Sequence, residues 1–238
     1  RQGIISESES PYNAPIWIIP KKKNNSEIQE WRLVVDYRKL NENTIDDKFP
    51  IPNIDHLFDK LGRCNYFSTL DLAKGFYQIQ VDERDRFKTA FSTESGHYEF
   101  NRMPFGLKNA PSTFQRMVNK VLRDYINKIC IVYMDDILIF STSFDEHLVS
   151  LKIILNTLQK SNLKIQIHKC SFANRSTRFL GHVVESGLIK PDPHKIDIIK
   201  NLTLPKNQKQ IRSFLGITGY YRKFIKDYSK VAYPLITY

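Results

Sequence analysis

Hydrophobic positions along the chain switch repeatedly between two spacings. Ile16–Ile19 and Trp31–Tyr37 are short apolar runs, and the polar, charged stretch Lys21–Glu30 between them predicts a hairpin with a basic rim. Asn53–Leu61 predicts a short helix stopped by Gly62, and Tyr66–Leu72 a buried strand. Arg86–Thr93 and His97–Arg102 predict a second hairpin turning at Glu94-Ser95-Gly96. From Pro111 to Tyr125 the spacing becomes helical. Phe114, Met117, Val118, Val121, Leu122 and Tyr125 share one face, and Pro111 suits the first turn. Two strongly apolar strands follow, Ile129–Tyr133 and Ile137–Phe140, with Met134-Asp135-Asp136 at the turn between them. The next helix carries Leu148, Leu151, Ile154, Leu155 and Leu158 on one face. Arg178–Val184 predicts a strand leading to a turn at Ser186-Gly187, and Asp192-Pro193 opens a helix. Two short helical stretches close the chain, one with Ile211, Phe214 and Leu215, the other with Tyr221, Phe224 and Ile225.

The middle therefore reads strand, helix, strand, strand, helix, strand. That order suits an α+β domain in which helices back an antiparallel sheet of split β-α-β type. Many binding domains share it, so it does not by itself imply an enzyme. At 238 residues and 41% hydrophobic, the chain can bury a real core. Its longest apolar runs are far too short to cross a bilayer, so no membrane partner is expected. Arg1 opens the chain without a Met or a signal-peptide pattern, as expected of a fragment or processed product. Cys64, Cys130 and Cys170 are widely separated, without CxxC or HExxH spacing. Reduced thiols and an intracellular compartment are the expectation, not a zinc site or a disulfide framework.

Charge sharpens the picture. The net charge of +11 favours a polyanionic partner, although a merely soluble basic protein would show it too. From Lys190 onward there are ten Lys or Arg against three Asp, beside Tyr220, Tyr221 and Phe224. Clustered cations interleaved with aromatics suit a grip on nucleic acid better than diffuse solubility does.

Asp135 and Asp136 are adjacent at the tip of an otherwise apolar hairpin. A turn explains one Asp; two repel each other unless cations or water relieve them. Asp71 ends the strand Tyr66–Leu72, and if that strand pairs beside the hairpin, Asp71 and Asp135 converge. Oxygen-only ligands suit Mg²⁺, with Mn²⁺ an alternative, and two such ions suit nucleotidyl transfer. Turn residues and surface acids remain the plainer alternative. No GxxxxGK[ST] or GxGxxG loop is present, so a triphosphate would need Lys21, Lys22, Lys23 and Arg32 on the first hairpin.

Tyr133-Met134-Asp135-Asp136 resembles the YxDD signature of reverse transcriptases, and the surrounding blocks match in order. Trp31 to Asn41 resembles that family's fingers strand, Ser68 to Ile79 its first palm block, and Met103 to Pro111 with Phe114-Gln115 the block before the palm helix. Phe179-Leu180-Gly181-His182 resembles the primer grip. Arg212 to Gly216 with Tyr220 to Ile225 resembles the thumb of Ty3/gypsy-type elements. The resemblance covers nearly the whole chain and implies a right-hand polymerase fold: fingers at 1–65 and 83–108, palm at 66–82 and 109–189, and a helical basic thumb at 190–238.

By the same resemblance Asp71, Asp135 and Asp136 form the catalytic metal site for two Mg²⁺. Lys22, Arg32, Leu72, Ala73, Phe76, Phe105 and Gly106 serve the incoming dNTP, with Phe76 as the gate that excludes a ribose 2′-hydroxyl. Phe105 stands where retroviral enzymes carry Gln and fits the gypsy-type group. Tyr133, Met134, Leu180, Gly181, His182, Arg212, Tyr220, Tyr221, Arg222 and Lys223 serve primer and template. The implied partners are an RNA template, a DNA primer, their hybrid and dNTPs. The protease, RNase H and integrase of the Pol polyprotein lie outside this chain, which should then degrade no RNA. The implied location is the cytoplasm, within virus-like particles. A decayed copy that only binds hybrid is the competing reading. An RNA-recognition domain is disfavoured, because its strand aromatics are missing and an acidic turn repels phosphate.

Overall fold

The computed structural model describes residues 3–20, 29 and 31–237. In chain order its elements are β1 (Ile5–Glu7), β2 (Ile16–Pro20), β3 (Trp31–Val35), α1 (Arg38–Glu42), α2 (Ile54–Phe58), β4 (Tyr66–Asp71), α3 (Glu83–Arg86), β5 (Phe91–Thr93) and β6 (Gly96–Phe100). Then follow α4 (Ala110–Val121), β7 (Cys130–Tyr133), β8 (Asp136–Ser141), α5 (Phe144–Lys160), β9 (Ser171–Asn174), β10 (Ser176–Phe179), β11 (His182–Glu185), β12 (Leu188–Pro191), α6 (Pro193–Lys200), α7 (Gln208–Tyr220) and α8 (Tyr228–Ile236).

The central sheet has the order β7-β8-β4-β9, with every pair antiparallel. β4 and β7 therefore run the same way with β8 between them, which is the expected split β-α-β arrangement. α4 and α5 cover this sheet. Phe114, Val118 and Leu122 of the α4 segment are fully buried against Leu70, Val132, Ile137 and Ile139. The α5 N-terminus is capped by Ser143, whose Oγ accepts the Glu146 N–H. The buried face of α5 differs from the expected one: His147, Ser150, Ile154 and Leu158 point inward, while Leu148 is exposed. The reason is polar. Ser141 Oγ donates its proton to the Ser143 carbonyl at 3.2 Å and therefore accepts from His147 Nδ1 at 2.8 Å; the other ring nitrogen, Nε2, then accepts the Ser68 hydroxyl at 2.6 Å, while Ser68 Oγ accepts the Ala173 N–H. This buried chain ties β4, β8, β9 and α5 together behind the carboxylates.

Three smaller sheets surround the centre: β1-β6-β5, β2-β3 and β10-β11-β12. Two expected strands change. Arg86 ends α3, which Asp82 caps by accepting the Arg84 N–H, so the strand begins only at Phe91. Arg178–Val184 is not one strand but a hairpin, because Leu180 and Gly181 take left-handed φ values of 46° and 69°. The boundary expected between residues 189 and 190 falls inside β12, and the change to helix follows Pro191. None of the helices of the described residues is long and apolar enough to cross a membrane.

Candidate active site

β7 and β8 are joined by the two-residue loop Met134-Asp135, with Tyr133 paired to Asp136. Met134 has φ 54°, a left-handed conformation that costs a non-glycine residue about 1–2 kcal/mol. The fully buried Gln115 of α4 holds it there: its Oε1 accepts the Met134 N–H at 2.6 Å, and its Nε2 donates to Asn119 Oδ1 at 2.9 Å. Asp71 lies directly opposite Asp136 across β4 and β8, and the Leu72 N–H donates to the Asp135 carbonyl at 3.0 Å. The sheet register thus gathers all three carboxylates. Gly75 is glycine for a local reason. It has φ 23°, a backbone conformation that residues with a Cβ rarely adopt, and it lies beside Asp135.

The electrostatics record this crowding. Burial and then the neighbouring charge of Asp71 raise the pKa of Asp135. Burial, Asp135 and Asp71 push Asp136 up to about 6. The Lys169 ammonium opposes both shifts and donates to Asp71 Oδ2 at 3.5 Å. Asp71, Asp136, Lys169 and Arg178 line one cavity of about 130 Å³ with Phe179 and Leu180. Neither Lys169 nor Arg178 was among the expected site residues, and no local motif marks them. Among the described residues no three acidic, His or Cys side chains close into a preformed metal cage. The carboxylates instead form an open edge of oxygen donors whose repulsion Lys169 relieves only in part, which suits hard cations that keep water and substrate ligands.

The expected nucleotide pocket assembles in part. Phe105 is 51% exposed, and its ring lies 5.0 Å from Phe76 and 5.4 Å from Tyr77, while Phe76 also meets Phe114 at 5.7 Å. The charge of Arg32 on β3 acts on the Tyr77 phenol, whose pKa burial raises. Leu72 is buried in the core, and its N–H and that of Ala73 are taken by Asp135 and Lys164 carbonyls. Their expected role as direct nucleotide contacts is therefore not available to the Leu72 side chain or to either amide. Lys22 lies outside the described residues.

On the primer side, His182 is 2% and Tyr221 6% exposed, so these expected nucleic-acid contacts are interior. His182 packs among Phe58, Tyr220, Tyr221 and Phe224, and burial lowers its pKa. Its Nδ1 donates to the Leu180 carbonyl, and its Nε2 has no partner among the described residues. Tyr220 and Tyr221 donate their hydroxyls to the Leu180 and Gly181 carbonyls at 2.6 and 2.9 Å. Lys223 donates to Asp55 at 2.7 Å. Arg212, Arg222 and Tyr220 are exposed.

Residues 19–184 match the reverse transcriptase (RNA-dependent DNA polymerase) family. The chain belongs to that family. Relatives of this reverse transcriptase domain include the Pol polyproteins of Drosophila melanogaster transposons 297 and gypsy. They are 56% and 44% identical over 98% and 99% of this chain, which spans only 22% and 23% of their length. The resemblance to Ty3/gypsy-type elements is thereby borne out. Among solved structures, the foamy viral protease–reverse transcriptase superposes with TM-score 0.89 in a complex with double-stranded DNA and 0.85 in one with an RNA/DNA hybrid. Both are 27% identical over 99% of this chain, covering 40% and 31% of the viral chain. The right-hand polymerase fold is therefore the fold of this domain, and divalent metal ions are general to its family.

Proposed function

We propose that this domain extends the 3′-hydroxyl of a DNA primer with dNTPs on an RNA or DNA template. The observation that carries the reading is the meeting of Asp71 and Asp136 on paired strands, with Asp135 on the adjoining turn, beside a cavity lined also by two cations. The three carboxylates would hold two Mg²⁺ ions. When bound, such ions lower the pKa of the attacking hydroxyl and neutralise charge on the leaving pyrophosphate. The protein's own residues supply position. Gln115 fixes the acidic turn, Phe76 and Phe105 wall the sugar, and Arg32 with Lys22 holds the triphosphate. The Leu180-Gly181 turn, Met134 and Tyr133 face the primer end, and Arg212, Tyr220, Arg222 and Lys223 border the duplex.

In this reading residues 1–65 and 83–108 are fingers, 66–82 and 109–191 palm, and 192–237 thumb. RNA, primer and hybrid are the partners, with the remaining Pol functions supplied by other parts of the polyprotein in cytoplasmic virus-like particles. The test is dNTP incorporation on oligo(dT)-primed poly(rA) with Mg²⁺. Incorporation that Asp135→Asn abolishes supports the proposal. Hybrid binding without incorporation by the wild type would favour a copy that only binds.

A further inference from the structure

Asn41 sits in α1, away from the carboxylates, yet its side chain reaches a loop 65 residues further along the chain. Its Nδ2 donates to the Gly106 carbonyl at 2.8 Å, and the Lys108 N–H donates to its Oδ1 at 2.8 Å. One side-chain amide thus satisfies an acceptor and a donor on either side of Leu107, as a neighbouring strand would. The loop needs such a partner. Gly106 has φ 94°, a conformation reserved for glycine, and it turns the chain back against Tyr37 and Val35. Asn109 repeats the device one step later: its Nδ2 donates to the Ile45 carbonyl, and its Oδ1 accepts the Asp47 N–H.

The residue directly before this pinned stretch is Phe105. Half its surface is exposed, so burial alone does not fix its ring. The pinned backbone beside it sets where the ring starts, and the Phe105 ring packs against Phe76 and Tyr77. We infer that Asn41 is a positioning residue for nucleotide selection. By clamping Gly106 and Lys108 it sets the Phe105 ring, and through that ring the wall formed by Phe76 against the sugar of the incoming nucleotide. The inference rests on the proposed polymerase reading and deepens it, since it assigns sugar discrimination partly to a residue that touches no substrate.

The experiment compares dATP with ATP incorporation on a primed template for wild type, Asn41→Leu and Asn41→Asp. Leu keeps the shape and removes both hydrogen bonds; Asp keeps the acceptor for Lys108 and loses the donor to Gly106. Asn41→Leu should raise KM for dATP and lower the dATP-over-ATP preference about tenfold, roughly the worth of a net hydrogen bond or two at the pocket. Its kcat at saturating dATP should stay within about threefold. Asn41→Asp should fall between the two and shows the effect even if the Leu variant folds poorly. Unchanged KM and sugar preference in a folded variant overturn the inference. So does a uniform loss of kcat for both nucleotides, which marks a general structural role. A wild type that incorporates neither nucleotide sinks the polymerase reading itself, a result distinct from both.

Discussion

Replacing Gln115 by Leu removes the support of the Met134 turn while nearly keeping the volume. The Met134 N–H then loses its bond to Oε1 at 2.6 Å. A net hydrogen bond is worth about 0.5–1.5 kcal/mol, and a poorly solvated orphan N–H costs about 1–3 kcal/mol. The bond also offsets a left-handed φ costing about 1–2 kcal/mol, which the turn relaxes once released. Asn119, the other partner, is only half-buried and can turn to water, so its loss adds little. The total is about 2–3 kcal/mol. Because the loop joins two strands whose ladders stay intact, most of this energy should appear as displaced carboxylates, not as lost fold. That corresponds to a roughly 30- to 160-fold slower chemical step. Urea unfolding and single-turnover incorporation separate the two destinations. Glycine at position 134 bears the φ without strain, so Met134→Gly in the Gln115→Leu background should return part of the rate. A Gln115→Leu protein with wild-type single-turnover rate would refute this account of the turn.

Asp136 titrates near 6 in the fold against 3.8 for the free side chain. The native state binds more protons between those values, so stability of the metal-free protein falls as pH rises through that window. Asp136→Asn should therefore be more stable than wild type above it, by on the order of 1 kcal/mol after solvent screening, and lose the advantage at lower pH; equal melting temperatures at pH 8 would contradict this. Lys169→Met removes the cation that lowers both Asp135 and Asp136, so the acid limb of the pH–rate profile should move to higher pH. An unmoved limb would show that Lys169 exerts no such influence. His147 and His182 are both held neutral by burial, below their ordinary pKa. Their contribution is present above about pH 6.5 and is lost as pH falls from there through the lowered values. A His147→Asn protein, weaker at pH 8, should show a shallower loss of stability over that window, and an identical slope would exclude His147 as a source.

The acidic hairpin was legible in the sequence because its strands are apolar without interruption and two Asp residues break them at one point. The α4 face was legible for the same reason of periodicity. Other features depend on long-range partners. Leu180 at φ 46° gives no local turn signal, so the hairpin between β10 and β11 read as one strand. His147 displaced Leu148 from the buried face because its ring bonds Ser68 and Ser141, which only the assembled sheet brings together. His182 and Tyr221 carry polar groups that suggest contact with a primer, yet the fold spends those groups on its own backbone and packs the rings inside. Lys169 reaches Asp71, and Arg178 the cavity beside it, only through the pairing of β9 with β4 and the hairpin beyond it.

β4 and β8 are the two inner strands of the central sheet, with a neighbour on each side. Asp71 and Asp136 ride on these strands, whereas Arg32 and Phe105 ride on a two-stranded sheet and a loop. Opening energies within a protein range from near zero at loops to the full unfolding energy at such inner strands. Amide hydrogens of Leu70 and Ile137 should thus exchange only through global unfolding, and those of the two-stranded sheet and the Phe105 loop through local opening. Built this way, the domain can open locally at its outer sheet and loop many times over while its carboxylates stay mechanically still.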